Sequence, residues 1–176
     1  MYIPARFAET RPEVLHTLLD TYPLGTLVRA GPAGLDADHL PFDRRPPGPE
    51  APHGLLRAHV ARANPLARTA DGMPVMVVFR GASGYVSPRA YDLQALGGRE
   101  VPTWNYDVVH VHGRLRTVDD REWLLAHMRA ATARHEGVHG GWTMDDAPRD
   151  FIDKLVRATV GIEIAIERIE GKFKRG

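Results

Sequence analysis

Two aromatics, an amide and two histidines fall within Val101-Pro-Thr-Trp-Asn-Tyr106 and the Val108-Val-His-Val-His112-Gly113 stretch that follows. Pro102 and the β-branched and aromatic residues after it favour extended backbone. The two-residue period of a strand then puts Trp104, Tyr106, Val108, His110 and His112 on one face. That face is too polar for a plain core. It suits a flat, conjugated ligand, which needs stacking walls and a few aimed hydrogen bonds. A second group, His59-Val-Ala-Arg62-Ala-Asn64-Pro65, brings an imidazole, a guanidinium and an amide to a strand end, where charged side chains and backbone donors meet phosphates or carboxylates. A histidine there also serves as an ordinary structural hydrogen-bonder. Leu35 to Phe42 holds Asp36, Asp38 and His39 in strand-like sequence, which a partly solvated edge strand accounts for equally well.

His135-Glu-Gly-Val-His139 matches the H-E-x-x-H spacing of zinc hydrolases, but Gly137, Gly140 and Gly141 mark a helix end and a loop where that chemistry needs a rigid helix. Ser83, Tyr85 and Ser87 offer hydrogen bonds to a ligand, and a glycine-rich turn between strands explains them equally well. No phosphate-binding glycine loop, dinucleotide fingerprint or nucleophile elbow is present. The absence of cysteine excludes disulfides, thiolate catalysis and thiolate ligation of metal or haem. A formal net charge of +1 supplies no global field for nucleic acid, and Arg44-Arg45 and Lys172, Lys174 and Arg175 read as solvated clusters. With no apolar run of signal or membrane-spanning length, a soluble cytoplasmic protein is expected.

The elements that must position these groups read as one domain over 1–176, since 43% hydrophobic residues can bury one ordinary core. Thr10 and Glu13 form a capping-box pattern ahead of Val14, Leu15, Leu18, Leu19 and Tyr22, predicting a helix over about 10–22. Further helices are expected over about 119–135, opened by Asp119 and Glu122, and over about 146–157. Leu24–Ala30 and Leu35–Phe42 flank the Gly31–Gly34 turn as a hairpin, and 43–53 reads as an exposed loop. Strands are expected at 54–60, 74–80, through the opening stretch, and at 159–169, where Val160, Ile162, Ile164 and Ile166 alternate with Gly161, Glu163, Ala165 and Glu167. Residues 89–100 read as irregular. Many strands with peripheral helices and no βαβ alternation favour an antiparallel barrel, mainly β in an α+β arrangement.

In order along the chain, Met1-Tyr-Ile-Pro4, Tyr22-Pro-Leu-Gly-Thr-Leu27, His39-Leu-Pro-Phe42, His59 to Pro65, Tyr85-Val-Ser-Pro88, Val101 to Tyr106, Asp145-Asp-Ala-Pro148, Val160-Gly-Ile-Glu-Ile164 and Glu170-Gly-Lys172 resemble the PaiB-like family of FMN-binding negative transcriptional regulators. The resemblance implies a homodimer of six-stranded split β-barrels with a planar cofactor at the subunit interface. This sequence departs from the family pattern at Asp38, where an Asn is usual, and at Leu66 and Ala67, near which a Trp is usual. It departs again at Arg89-Ala90-Tyr91, usually Ser-Trp-Tyr, and it stops at Lys174-Arg-Gly176.

A pocket that has lost two indoles and gained a carboxylate and a guanidinium resembles the haem-dependent piperazate synthase branch. Those enzymes close side-chain N-hydroxylated ornithine into a cyclic hydrazine by forming an N–N bond. That resemblance implies haem b with His59 as the axial ligand and His110 as the second choice, and Arg62 beside a propionate. Tyr106, Asp38 and His39 are then expected as proton carriers, and Arg89 as the partner of the amino-acid substrate's carboxylate. The alternative is an FMN-binding regulator, with Arg62, Lys172 and Lys174 on the phosphate, Trp104 beside the ring system and Asn64 in the same cofactor-binding segment. The low charge and the missing helix-turn-helix pattern count against direct DNA reading.

Overall fold

A computed structural model describes the chain except residues 32, 50, 92–97, 138, 139 and 176. His139 of the H-E-x-x-H pattern, part of the Gly31–Gly34 turn and most of the irregular 89–100 segment lie outside the described residues.

The elements run β1 (Ala8–Glu9), α1 (Pro12–Thr21), β2 (Leu24–Gly31), β3 (Gly34–Pro41), β4 (Asp43–Arg45), β5 (Leu55–Ala61), β6 (Met73–Val86), β7 (Thr103–Val118), α2 (Arg121–Glu136), α3 (Arg149–Arg157) and β8 (Thr159–Lys174). All eight strands join one antiparallel sheet in the order β3-β2-β6-β7-β8-β5-β4, with β1 on β8. The expected six-stranded split barrel is therefore corrected in its strand count: the described residues form eight strands in one unclosed antiparallel sheet. The extra strands, β1 and β4, are two and three residues long, too short to show a period. β4 also takes Asp43–Arg45 out of the expected exposed loop, and Asp43 is buried.

One face of the sheet wraps the main core. Leu27, Leu56, Val77, Phe79, Val109, Val111, Leu115, Ile162 and Ile164 are fully buried there, with Leu15, Leu18 and Leu19 of α1 packed against them. α1 begins at Pro12, whose missing N–H costs nothing in a first turn, and Glu13 faces the positive helix end. The expected Thr10 capping box does not form: Arg11 is the cap residue and makes no side-chain cap. α2 is capped by Asp120, which accepts from the Trp123 N–H at 2.6 Å. α2 and α3 build a second small core of Leu124, Leu125, Met144 and Val156.

Two irregularities decide which side chains share a face. Between Arg80 and Ser83 β6 takes three steps while β7 takes two. Between His112 and Gly113 the pairing skips Glu167 of β8. Side chains of β8 that point to the core are therefore even-numbered up to Ile166 and odd-numbered from Ile169 on. At this bulge Gly113 permits the close approach of β8, because a Cβ there would stand 2.1 Å from the Ala165 carbonyl oxygen.

Candidate functional site

The face of the sheet away from the main core carries the chemistry. Directly paired residues of antiparallel strands point to the same side. The register therefore lines up Tyr85 with Trp104, then Ser83, Tyr106 and Lys174, then Arg80, Val108 and Lys172. The next row runs His39, Thr26, Val78, His110 and Glu170 across five strands, and Met76, His112 and Arg168 follow it. The alternation expected of Trp104, Tyr106, Val108, His110 and His112 is what the strand shows.

Val78, Arg80, Ser83, Trp104, Tyr106 and Val108 line a shallow depression of about 370 Å3 on this face. Trp104 and Tyr85 stand edge to face, 6.1 Å apart, and both are more than half exposed. Lys172 lies over the rings of Tyr106 (5.3 Å) and Tyr2 (5.8 Å). Arg80 is exposed and has no ion-pair partner among the described residues. Lys174 is tied down, its ammonium donating to the Trp104 carbonyl at 2.6 Å and to Thr103. Aromatic walls beside two cations suit a flat ring system that carries an anionic group.

His110 and His112 meet Glu170 at the far side of the depression. His112 Nε2 is 3.4 Å from Glu170 Oε2, and Arg168 pairs with the other carboxylate oxygen. Burial, then the nearby amino terminus and His112, push His110 below the ordinary imidazole value. Burial works to raise Glu170, but Arg168 and the amino terminus outweigh it and hold the carboxyl low.

His59 shares this face of the sheet but sits under α2, paired with Gly161 of β8. Its Nδ1 is 3.2 Å from Nε2 of His127, a buried residue stacked on Trp123. His127 Nδ1 is 3.6 Å from Asp43 Oδ2, and Arg134 reaches the other oxygen of Asp43. Burial, and then the neighbouring His59, push His127 down to about 4 against the pull of Asp43; burial also lowers His59. Both rings are neutral near pH 7. Between His59 Nδ1 and His127 Nε2 one ring donates and the other accepts, whereas the 3.6 Å from His127 Nδ1 to Asp43 Oδ2 is too long for a hydrogen bond. Glu163 lies beside them, 1% exposed, accepting from Arg57 (2.7 Å), Trp123 Nε1 (3.0 Å) and Arg116.

The other residues named from the sequence are dispersed. Asp38 pairs with buried Leu27, so it faces the opposite side from His39, and it accepts from the Asn64 amide at 2.8 Å. Asn64 also caps the turn at Leu66. His39 contacts Thr26 through Nδ1 at 3.0 Å and stands in the His110 row. Arg62 is committed to Asp119 by two 2.6 Å bonds and to the carbonyls of Arg157 and Thr159, away from the depression. Arg89 is exposed on a short turn capped by Ser87. Sequence reading missed Arg80, Lys172 as a partner of Tyr106, and the whole His127–Asp43–Glu163 group. The alternation of Val75, Val77 and Phe79 with Met76, Val78 and Arg80 was the signal for Arg80.

The family model described as "Putative FMN-binding domain" matches residues 1–168. The chain belongs to this family. The Bacillus subtilis protein named protease synthase and sporulation protein PAI 2 is 28% identical, over 99% of this chain and 81% of its own length. Among solved structures, the FAD and haem binding protein of Mycobacterium smegmatis superposes with a TM-score of 0.68 at 21% identity, over 96% of this chain and 74% of that one. The flavocytochrome Anf3 of Azotobacter vinelandii reaches 0.71 at 15% identity, over 99% and 73%. At these identities the two structures establish a shared fold. Among the described residues no helix is long and apolar enough to cross a membrane.

Proposed function

We propose that this chain is an FMN-binding protein of the PaiB-like kind, holding the flavin against the Trp104–Tyr106 face and acting as a cofactor-dependent regulator. The observation that carries the reading is the depression with Trp104 and Tyr106 in its wall and Arg80 and Lys172 on either side of Val108. The ring system stacks on the aromatic end, and the phosphate meets the two cations. Arg62 plays no part, because Asp119 and the carbonyls of Arg157 and Thr159 hold its guanidinium away from the depression. A single sheet covers only one side of a flat ring, so a second copy of the chain closes over it, giving a homodimer.

A second reading is favoured by His59, whose Nδ1 is engaged by His127 at 3.2 Å so that Nε2 is left for a ligand, and by the haem in the name of one protein of the same fold. In that reading the chain is a haem-dependent piperazate synthase. Haem would supply the iron that polarises the N–O bond of the hydroxylated amino acid. Tyr106 and His39, which share a face, would carry protons, and Arg89 would meet the substrate carboxylate. Asp38 would act only through Asn64.

Protein purified from cells supplied with both riboflavin and a haem precursor separates the readings. A flavin spectrum that co-elutes with a dimer on gel filtration is the expected result. A Soret band without flavin overturns the first reading in favour of the second, and a colourless protein that takes up neither cofactor overturns both.

A further inference from the structure

His110 Nδ1, His112 Nε2 and Glu170 Oε2 are shut from solvent and make no hydrogen bond. His112 Nε2 meets Glu170 Oε2 only at 3.4 Å, and the Met1 amino group meets the same oxygen at 3.6 Å, contacts too long to repay the burial in full, so the grouping asks for an occupant. One ligand atom from each of these residues lies within 4.8 Å of the others. The backbone sets the arrangement: His110 pairs directly with Glu170 across β7 and β8, and His112 is two residues along the same strand, on the same face. The 3.4 Å between His112 Nε2 and Glu170 Oε2 is close to the edge of a tetrahedron built on metal–ligand bonds of about 2.0 to 2.1 Å, roughly 3.3 Å.

We propose that His110, His112 and Glu170 form a binding site for a divalent transition-metal ion of the zinc class. Two imidazoles and a carboxylate are a borderline donor set that suits such an ion better than calcium or magnesium, which require oxygen cages. Three protein ligands leave one position of a tetrahedral ion for water or an anion. Arg168 holds Oε1 of Glu170 and so leaves Oε2 turned to the histidines. The amino group of Met1 stands 3.6 Å from Oε2, and an arriving dication displaces it. The site depends on neither cofactor assignment.

Full-length protein stripped with a chelator and desalted is titrated with Zn2+ by calorimetry. One ion per chain is expected. His112→Ala and Glu170→Gln should each weaken binding about a thousandfold, one of three ligands' share of a zinc site's free energy. His135→Ala, in the H-E-x-x-H stretch, should leave it unchanged. The imidazole resonances of His110 and His112 in the wild-type protein should shift on Zn2+ addition, a readout independent of how the variants fold. Unshifted imidazoles, or His112→Ala and Glu170→Gln proteins that bind Zn2+ as tightly as wild type, overturn the proposal. So does loss of binding on His135→Ala alone. Flavin content, followed by its visible band in the same samples, stays constant if only the metal site is affected.

Discussion

Replacing His127 by Leu should remove a pH-dependent weakness from the fold. The imidazole is 3% exposed, set between Trp123 and His59, with Asp43, Arg45 and Arg57 as its charged neighbours, and its pKa is pushed from 6.5 to about 4. An unfolded chain therefore takes up a proton between those values that the folded chain refuses. Stability is unaffected by this group above about pH 6.5 and falls as the pH drops toward 4. At about 1.4 kcal/mol per pH unit, the full penalty is about 3 kcal/mol, and most of it is present by pH 4.5. Leu cannot take the proton, but it leaves His59 Nδ1 without a partner, which costs about 1 kcal/mol at neutral pH. The two stability curves should cross: the variant is weaker at pH 7 and stronger at pH 4.5. Urea unfolding across that range measures this, and a difference of about 2 kcal/mol at pH 4.5 moves the midpoint by roughly 1 M. His59 remains in both proteins. The carboxylates held low, Glu9, Asp119, Asp146, Glu163 and Glu170, lose their contribution as the pH falls below their ordinary range, also in both proteins. A gap between wild type and variant that is the same at pH 7 and pH 4.5 would refute the reasoning.

Trp104→Ala and Lys172→Ala should each weaken flavin binding about tenfold in a fluorescence titration, whereas Arg62→Ala leaves it unchanged. Gly161→Ala places a Cβ 2.3 Å from the Trp123 ring, so the indole must leave Glu163 and His127; about 2 kcal/mol of destabilisation and red-shifted tryptophan emission are expected. Glu163→Leu should cost about 2 kcal/mol by thermal unfolding. That is less than a fully buried pair would lose, because Arg116 is 59% exposed and Arg57 28%, and both keep water.

The sequence made legible those features that a period records. The face of β7 and the first half of β8 follow from plain alternation; α2 stands where it was expected, but Asp120 caps it and the expected Asp119 is paired with Arg62 instead. What it hid depends on register and on distant partners. Asp43 lies in a proline-rich, charged stretch, and only its pairing beside β5 buries it. His127 is one turn after Trp123, where a histidine reads as core filler or surface until β5 brings His59 beneath it. Asp38 looked like a neighbour of His39, yet adjacent strand residues point to opposite sides. Arg62 looked available because its partner, Asp119, is far away in sequence.

The skipped residue at Glu167 gives β8 a reserve of one residue that composition does not reveal. Deleting Glu167 would leave Ile166 opposite Gly113 and Arg168 opposite His112 as consecutive residues, so the bulge would go and both faces would keep their side chains. Insertion meets no such reserve. One residue added just after Arg168, with the pairing before it kept, would turn the end of β8 over, taking Lys172 to the core side and bringing Phe173 opposite Tyr106 in the depression. The charged face therefore tolerates a shorter β8 better than a longer one.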